Sequence, residues 1–184
     1  MKKIIIFGMV LFFAGFGLKF FHIHYNAILM MAGLFILIVS YSANVFVKNK
    51  EVNTLVGYTI TSWLAFLLFT IKYWPFVTFV FYLSLALTLA VIIRRLHEKF
   101  SFQLIILSLC VFLSVSLYFM PSDERYYLLS IKWNHEIETD YITCDKYSWF
   151  LYKHEKVEEA LKISEKAKLI AMKQNDKQWE TFIA

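Results

Sequence analysis

Five long apolar runs separated by short polar breaks fill the first two-thirds of the chain, at 4–21, 27–47, 54–71, 76–93 and 102–120. The hydrocarbon core of a bilayer is about 30 Å thick, so a helix needs roughly 20 mostly apolar residues to cross it. Lipid cannot hydrogen-bond a bare backbone, and runs of this length are therefore predicted to be membrane-spanning helices. The breaks are tight. His22-Ile23-His24-Tyr25-Asn26 joins the first two runs and Lys72-Tyr73-Trp74-Pro75 joins the third and fourth, which gives two hairpins plus one further span. Pro121 closes the fifth run, because proline has no N–H for the helix ladder.

Beyond Pro121 the pattern becomes amphipathic. Ser122-Asp123-Glu124 reads as a helix start, with a capping hydroxyl and acids in the first turn. A juxtamembrane helix is predicted from there to about Trp133, offering Tyr127, Leu128, Ile131 and Trp133 to one face. A second is predicted over 141–153 and a third over 156–173. In the third, Val157, Ala160, Leu161, Ser164, Ala167 and Ala171 recur at spacings of three and four, a narrow stripe of mostly small residues that predicts close helix packing. The fold class is thus an all-α membrane protein, with a five-helix transmembrane domain over 1–121 and a small helical extramembrane domain over 122–184.

Composition agrees with that division. Of 184 residues, 59% are hydrophobic, 19% aromatic and 18% charged, more apolar than one small soluble globule can hide. Five glycines, two prolines and two cysteines exclude collagenous, disordered and disulfide-scaffold classes. The formal charge of +5 conceals an asymmetry. Residues 1–120 carry two acids, Glu51 and Glu98, against nine bases, whereas the remainder is slightly acidic. That distribution is not a nucleic-acid footprint. With the N-terminus in the cytoplasm, Lys2, Lys3, Lys48, Lys50, Arg94, Arg95 and Lys99 lie inside and only Lys19 and Lys72 outside. This places the chain in the plasma (inner) membrane with its tail extracytoplasmic, in the periplasm of a Gram-negative host. Met1-Lys2-Lys3 before an apolar run also suits a signal peptide, but Gly17-Leu18-Lys19-Phe20-Phe21 offers no small-residue cleavage site, so an uncleaved first span is expected.

Candidate chemistry in the spans is sparse. Proton-coupled transporters and motors use an ionisable group at membrane depth, and none of the five runs contains Asp or Glu. His22 and His24 stand two apart in a turn, short of the three or four ligands a metal needs. Asn44 is expected to hydrogen-bond between helices, and Cys110 to serve as a small packing residue. No phosphate-binding glycine loop, nucleophile elbow or HExxH is present. A non-enzymatic protein with no cofactor and no metal site is the expectation.

Two resemblances bear on partners. Leu18-Lys19-Phe20-Phe21-His22 parallels Ile71-Lys72-Tyr73-Trp74-Pro75, and such Lys/aromatic turns resemble those of small membrane hairpins in Bacteroidota, including the membrane subunit of the gliding motor. That type relies on an acid within a span, which is missing here, so a proton-motor role is not implied. Any membrane protein can use the same turns to place Lys, Tyr and Trp at headgroup level. In the tail, the stretch from Asp145 to Ala167 resembles one tetratricopeptide (TPR) repeat. Lys156-Val157-Glu158-Glu159-Ala160 is its most family-like piece, and Ala160 and Ala167 fall on the repeat's two characteristic alanines. Tyr147 stands where the family favours Leu, Ser148 where it favours Gly and Leu151 where it favours Tyr. The departures are Cys144 at the usual first Trp, Ser164 at an aromatic position and the lack of a closing Pro.

The TPR resemblance implies a ligand-facing surface on the first helix of the repeat, presenting Asp145, Trp149, Tyr152 and Lys153. Trp149 packing within the tail or on the membrane surface is an equally open reading. A single repeat needs neighbours to bury its faces. The juxtamembrane helix can cover one side, while Trp179, Phe182 and Ile183 can cover the other or dock elsewhere. The expected partners are the lipid bilayer and a protein, either another subunit or a second copy. The alternative function is a small transporter or channel component with the tail as accessory.

Overall fold

The computed structural model describes residues 1–21, 25–47, 53–95, 102–130 and 140–173. Within them the chain is all-helical: α1 (Lys2–Phe20), α2 (Asn26–Val47), α3 (Thr54–Lys72), α4 (Val77–Arg95), α5 (Phe102–Phe119), α6 (Ser122–Ser130), α7 (Tyr141–Lys153) and α8 (Val157–Lys173). The first five are long and apolar enough to cross a membrane. Two compact units result, one of residues 1–18 with 23–119 and one of residues 19–22 with 120–184.

In the first unit α3 is the hub, packing against α2, α4 and α5. Its apolar stretch is 67% buried, against 11% for α4. Polar groups explain how α3 is held. Trp63 Nε1 donates to Thr88 Oγ1 at 2.9 Å, and Ser62 Oγ meets Ser84 Oγ at 2.7 Å. The hydroxyl protons of Ser84 and Thr88 go back to the carbonyls of Val80 and Ser84 one turn earlier on α4, so Ser62 and Trp63 are the donors across the interface. From the other side, Ser114 of α5 donates to the Trp63 carbonyl at 3.2 Å. Around this indole, Phe66, Phe81 and Tyr118 pack ring to ring with centroids 5.2–5.6 Å apart. In an apolar surrounding, where polar groups have few alternative partners, these contacts fix the register of three helices. Asn44 makes the interhelical bond expected of it, from Nδ2 to Thr54 Oγ1 at 2.7 Å.

Helices α1 and α2 approach through glycine. A Cβ added at Gly33 would stand 2.7 Å from the carbonyl oxygen of Gly8 and 2.7 Å from the backbone nitrogen of Phe12, so the two backbones meet there without side chains between them. Cys110 is buried within the unit, in keeping with a packing role. In both hairpins a lysine sits in the last turn of the outgoing helix, Lys19 in α1 and Lys72 in α3. Lys72 Nζ reaches across to Asn26 Oδ1, at the head of α2, at 3.2 Å.

Candidate functional site

The second unit is built on the α7–α8 hairpin. Asp140 caps α7, its carboxylate accepting from the Ile142 N–H at 3.1 Å and from the Thr143 hydroxyl. At the other end the Lys156 N–H returns to the Leu151 carbonyl at 3.0 Å and the Glu155 N–H to that of Tyr152 at 3.1 Å. This paired closure of a helix end needs one left-handed residue. Glu155 supplies it, at φ 61°. Small side chains then let the helices close up. Cys144, Ser148 and Leu151 of α7 are buried, as are Ala160, Ala167, Ile170 and Ala171 of α8. The buried Ser148 hydroxyl is satisfied by the Asp145 carbonyl at 2.8 Å.

Helix α6 covers one flank of α7. The Tyr126 ring lies parallel to that of Phe150, with centroids 4.7 Å apart, and Tyr127 tilts against Tyr147 at 5.5 Å. At the head of α6, the Asp123 carboxylate is buried and takes the Lys156 ammonium at 2.7 Å. The neighbouring Ser122 hydroxyl bonds Nε2 of His154. Burial alone would raise the Asp123 carboxyl. The hydrogen bond and charge of Lys156, together with the backbone N–H groups of Asp123 and Glu124, hold it instead below the usual carboxylate range. The same hydrogen bond, with the charge behind it, lifts the Lys156 ammonium above its ordinary value. Burial, with the negative charge of Asp123 next, raises the nearby Tyr147 phenol.

Two sequence expectations are corrected here. The face of α6 that becomes buried carries Leu129 and the stacked Tyr126, whereas Tyr127 remains 42% exposed; Ile131 and Trp133 lie outside the described residues. In α8 the stripe divides. At 100° per residue Ala160, Ala167 and Ala171 point at α7, while Val157 and Leu161 are rotated away and are 48% and 60% exposed. What reads as one stripe at spacings of three and four is a packing seam with an open apolar edge beside it.

That edge forms one wall of a groove of about 530 Å³ along the hairpin, with Val157, Leu161 and Ser164 on the α8 side. Of the residues singled out by sequence, Asp145, Trp149 and Tyr152 all line it, and Trp149 and Tyr152 are more than half exposed. Lys153 does not line the groove but holds its ammonium 4.8 Å from the centre of the Trp149 ring. Partial burial raises the Asp145 carboxyl, an effect the adjacent Lys146 opposes. The sequence reading missed Val157, Leu161 and Tyr126 as groove residues; the signal for the first two was that they share one side of α8, about 60–100° from the alanines. Two other hollows, of about 720 Å³ between α4 and α5 and about 630 Å³ between α1 and α5, are lined by aliphatic, aromatic and hydroxyl or thiol side chains and present no charge.

Among the described residues no three His, Cys, Asp or Glu side chains come together as a metal site requires. His22, His24, Glu51 and Glu98 lie outside the described residues, as do Lys48, Lys50, Lys99, Trp179, Phe182 and Ile183. No protein-family model, curated protein or solved structure matches the chain.

Proposed function

We propose that the chain is a non-enzymatic integral membrane protein of five spans whose extramembrane helical unit docks a protein partner through the α7–α8 groove. The observation that carries this reading is the open groove itself. A hairpin whose other flank is closed by α6 leaves Trp149, Tyr152, Val157 and Leu161 exposed side by side. Clustered exposed aromatic and aliphatic groups with a few charges at the rim are the composition of interface hot spots. Here Asp145 and Lys146 line the groove, and Lys153 stands beside it over the Trp149 ring. A TPR-like unit offers the same surface to a neighbouring helical hairpin, belonging to another subunit or a second copy of the chain. The basic residues bordering the spans favour a cytoplasmic N-terminus in the plasma (inner) membrane and an extracytoplasmic tail.

The transporter or channel reading draws less support, because the hydroxyls and the indole inside the first unit are engaged in fixing α3 to α4 and α5. A photo-crosslinking residue placed at Leu161 in cells tests the docking reading. The expected product is an adduct with a protein, lost when Trp149→Ala is added. Crosslinks confined to lipid, or a protein adduct indifferent to Trp149→Ala, would remove it.

A further inference from the structure

We infer that the α7–α8 turn, with Tyr152, Lys153, His154 and Val157 at its tip, seats in the lipid headgroup layer. The inference rests on the reading of α5 as a membrane span. Its first support is the tether. α5 ends at Phe119, and the Pro121 carbonyl already accepts from the Arg125 N–H at 2.9 Å as part of the first turn of α6. Three residue steps from Phe119 to Ser122 extend at most about 11 Å. Its second support is what Ser122 and Asp123 hold. Ser122 bonds His154, and Asp123 holds Lys156 at 2.7 Å, so both contacts clamp the α7–α8 turn to the first residues after the span. The turn is therefore the part of the α7–α8 hairpin that chain length holds close to the end of α5, whichever way the rest of the hairpin extends.

The chemistry of the tip fits that position. The polar layer on each side of a bilayer is about 5–7 Å deep. It favours side chains with an apolar body and a polar end, Tyr, Trp and Lys above all. Tyr152 is 64% and Val157 48% exposed, and Lys153 and His154 are exposed between them. Lys153, with Lys156 held by Asp123, is set against Glu155, Glu158 and Glu159, so the tip has no excess of positive charge. Its affinity is for the interface as such and does not require anionic lipid. With Tyr152 and Val157, at one end of the groove, taken up by the headgroups, Trp149, Leu161 and Asp145 are the part of its lining left for the protein partner.

Depth-dependent quenching tests this in the full chain, reconstituted in zwitterionic phosphatidylcholine vesicles. Cys110 and Cys144 are replaced by Ala, and one fluorophore is attached at Val157→Cys, Tyr152→Cys, Lys173→Cys or Phe112→Cys. Lys173 ends α8 some 24 Å along the helix from Val157. A headgroup-borne spin label is expected to quench positions 152 and 157 several-fold more than position 173, and an acyl-chain spin label to quench position 112. Strong quenching at 112 with none at 152 and 157, or with equal quenching at 157 and 173, overturns the seating while leaving the span intact. No quenching at 112 overturns the span reading and the seating together.

Discussion

The ring of Tyr41 lies flat across Gly57, so near that a Cβ on that glycine would stand 2.1 Å from Cε1 and 2.4 Å from Cδ1. Tyr41 is 2% exposed and neighbours Tyr58, at 6.2 Å between centroids, while the next residue, Ser42, meets the Tyr58 hydroxyl at 2.9 Å. Gly57 is therefore the place where α2 hands its largest side chain to α3. Gly57→Ala is expected to destabilise the bundle by about 1–3 kcal/mol, the usual range for overpacking. In a Tyr41→Ala background the same change should be nearly neutral, because the obstructing ring is gone. Unfolding of the four variants in mixed micelles measures the coupling. Equal costs in both backgrounds would show that the ring moves aside freely.

Trp63 allows packing and hydrogen bonding to be separated by size. Its side chain is fully buried and donates to Thr88. Interhelical hydrogen bonds in membrane proteins average about 0.6 kcal/mol, whereas removing a buried aromatic costs about 3–5 kcal/mol. Trp63→Ala should therefore be severe. Thr88→Val should cost about 1 kcal/mol or less, and a Trp63–Thr88 double-mutant cycle with Trp63→Phe should return a coupling of similar size. A coupling of several kcal/mol would mean that the polar contact outranks the rings around it.

The sequence made the five apolar helices plain because a span must be continuous and apolar over its whole length, a demand that leaves little room for alternative readings. Their ends agree with the structure to within a few residues for the same reason. What it did not disclose is which helix is central. α3 is no more apolar than its neighbours, and its burial follows from where Ser62, Trp63 and Gly57 find partners on three other helices. In the tail, the start of α6 was legible from local chemistry, in Ser122-Asp123-Glu124, whereas the Asp140 cap of α7 was not singled out. The Asp123–Lys156 pair was not legible, since it joins residues 33 positions apart with no sequence signature. The candidate site was half legible. Asp145, Trp149, Tyr152 and Lys153 followed from the repeat resemblance, whereas Val157 and Leu161 were assigned to the packing seam because spacings of three and four tolerate the roughly 60–100° that separates seam from edge.

Glu155 pays for the end of α7 with a left-handed backbone, at φ 61°. Glycine adopts that conformation without a Cβ penalty, worth about 1–2 kcal/mol for other residues, although its greater freedom when unfolded returns part of the gain. Glu155→Gly is expected to slow local opening of α7 and α8 by a factor corresponding to about 0.5–1 kcal/mol. Amide exchange on the full protein in detergent reads this directly. Faster exchange in the variant would mean that the Glu155 side chain contributes more than its backbone costs.

The Asp123–Lys156 clamp predicts how the second unit responds to pH. The Asp123 carboxyl titrates below its unfolded value of about 3.9, so its contribution is complete above about pH 4 and is lost as the pH falls through the lower folded value. Lys156 titrates above its unfolded value of about 10.4, so its share is complete below that and is lost as the pH rises beyond it. Between these limits both charges are present. Asp123→Asn should therefore weaken amide protection of α6 throughout pH 5–9, after correction for intrinsic exchange, and the gap to the parent protein should narrow below about pH 4. Lys156→Met should show the complementary narrowing above about pH 10.5 while keeping most of the packing of the lysine stem. Because Ser122 and His154 join the same two elements, neither change should release α6 completely, and the Tyr126–Phe150 stack should persist in near-ultraviolet circular dichroism. A deficit in Asp123→Asn that stays constant from pH 3 to pH 9 would show that the carboxylate acts there through shape alone, without its charge.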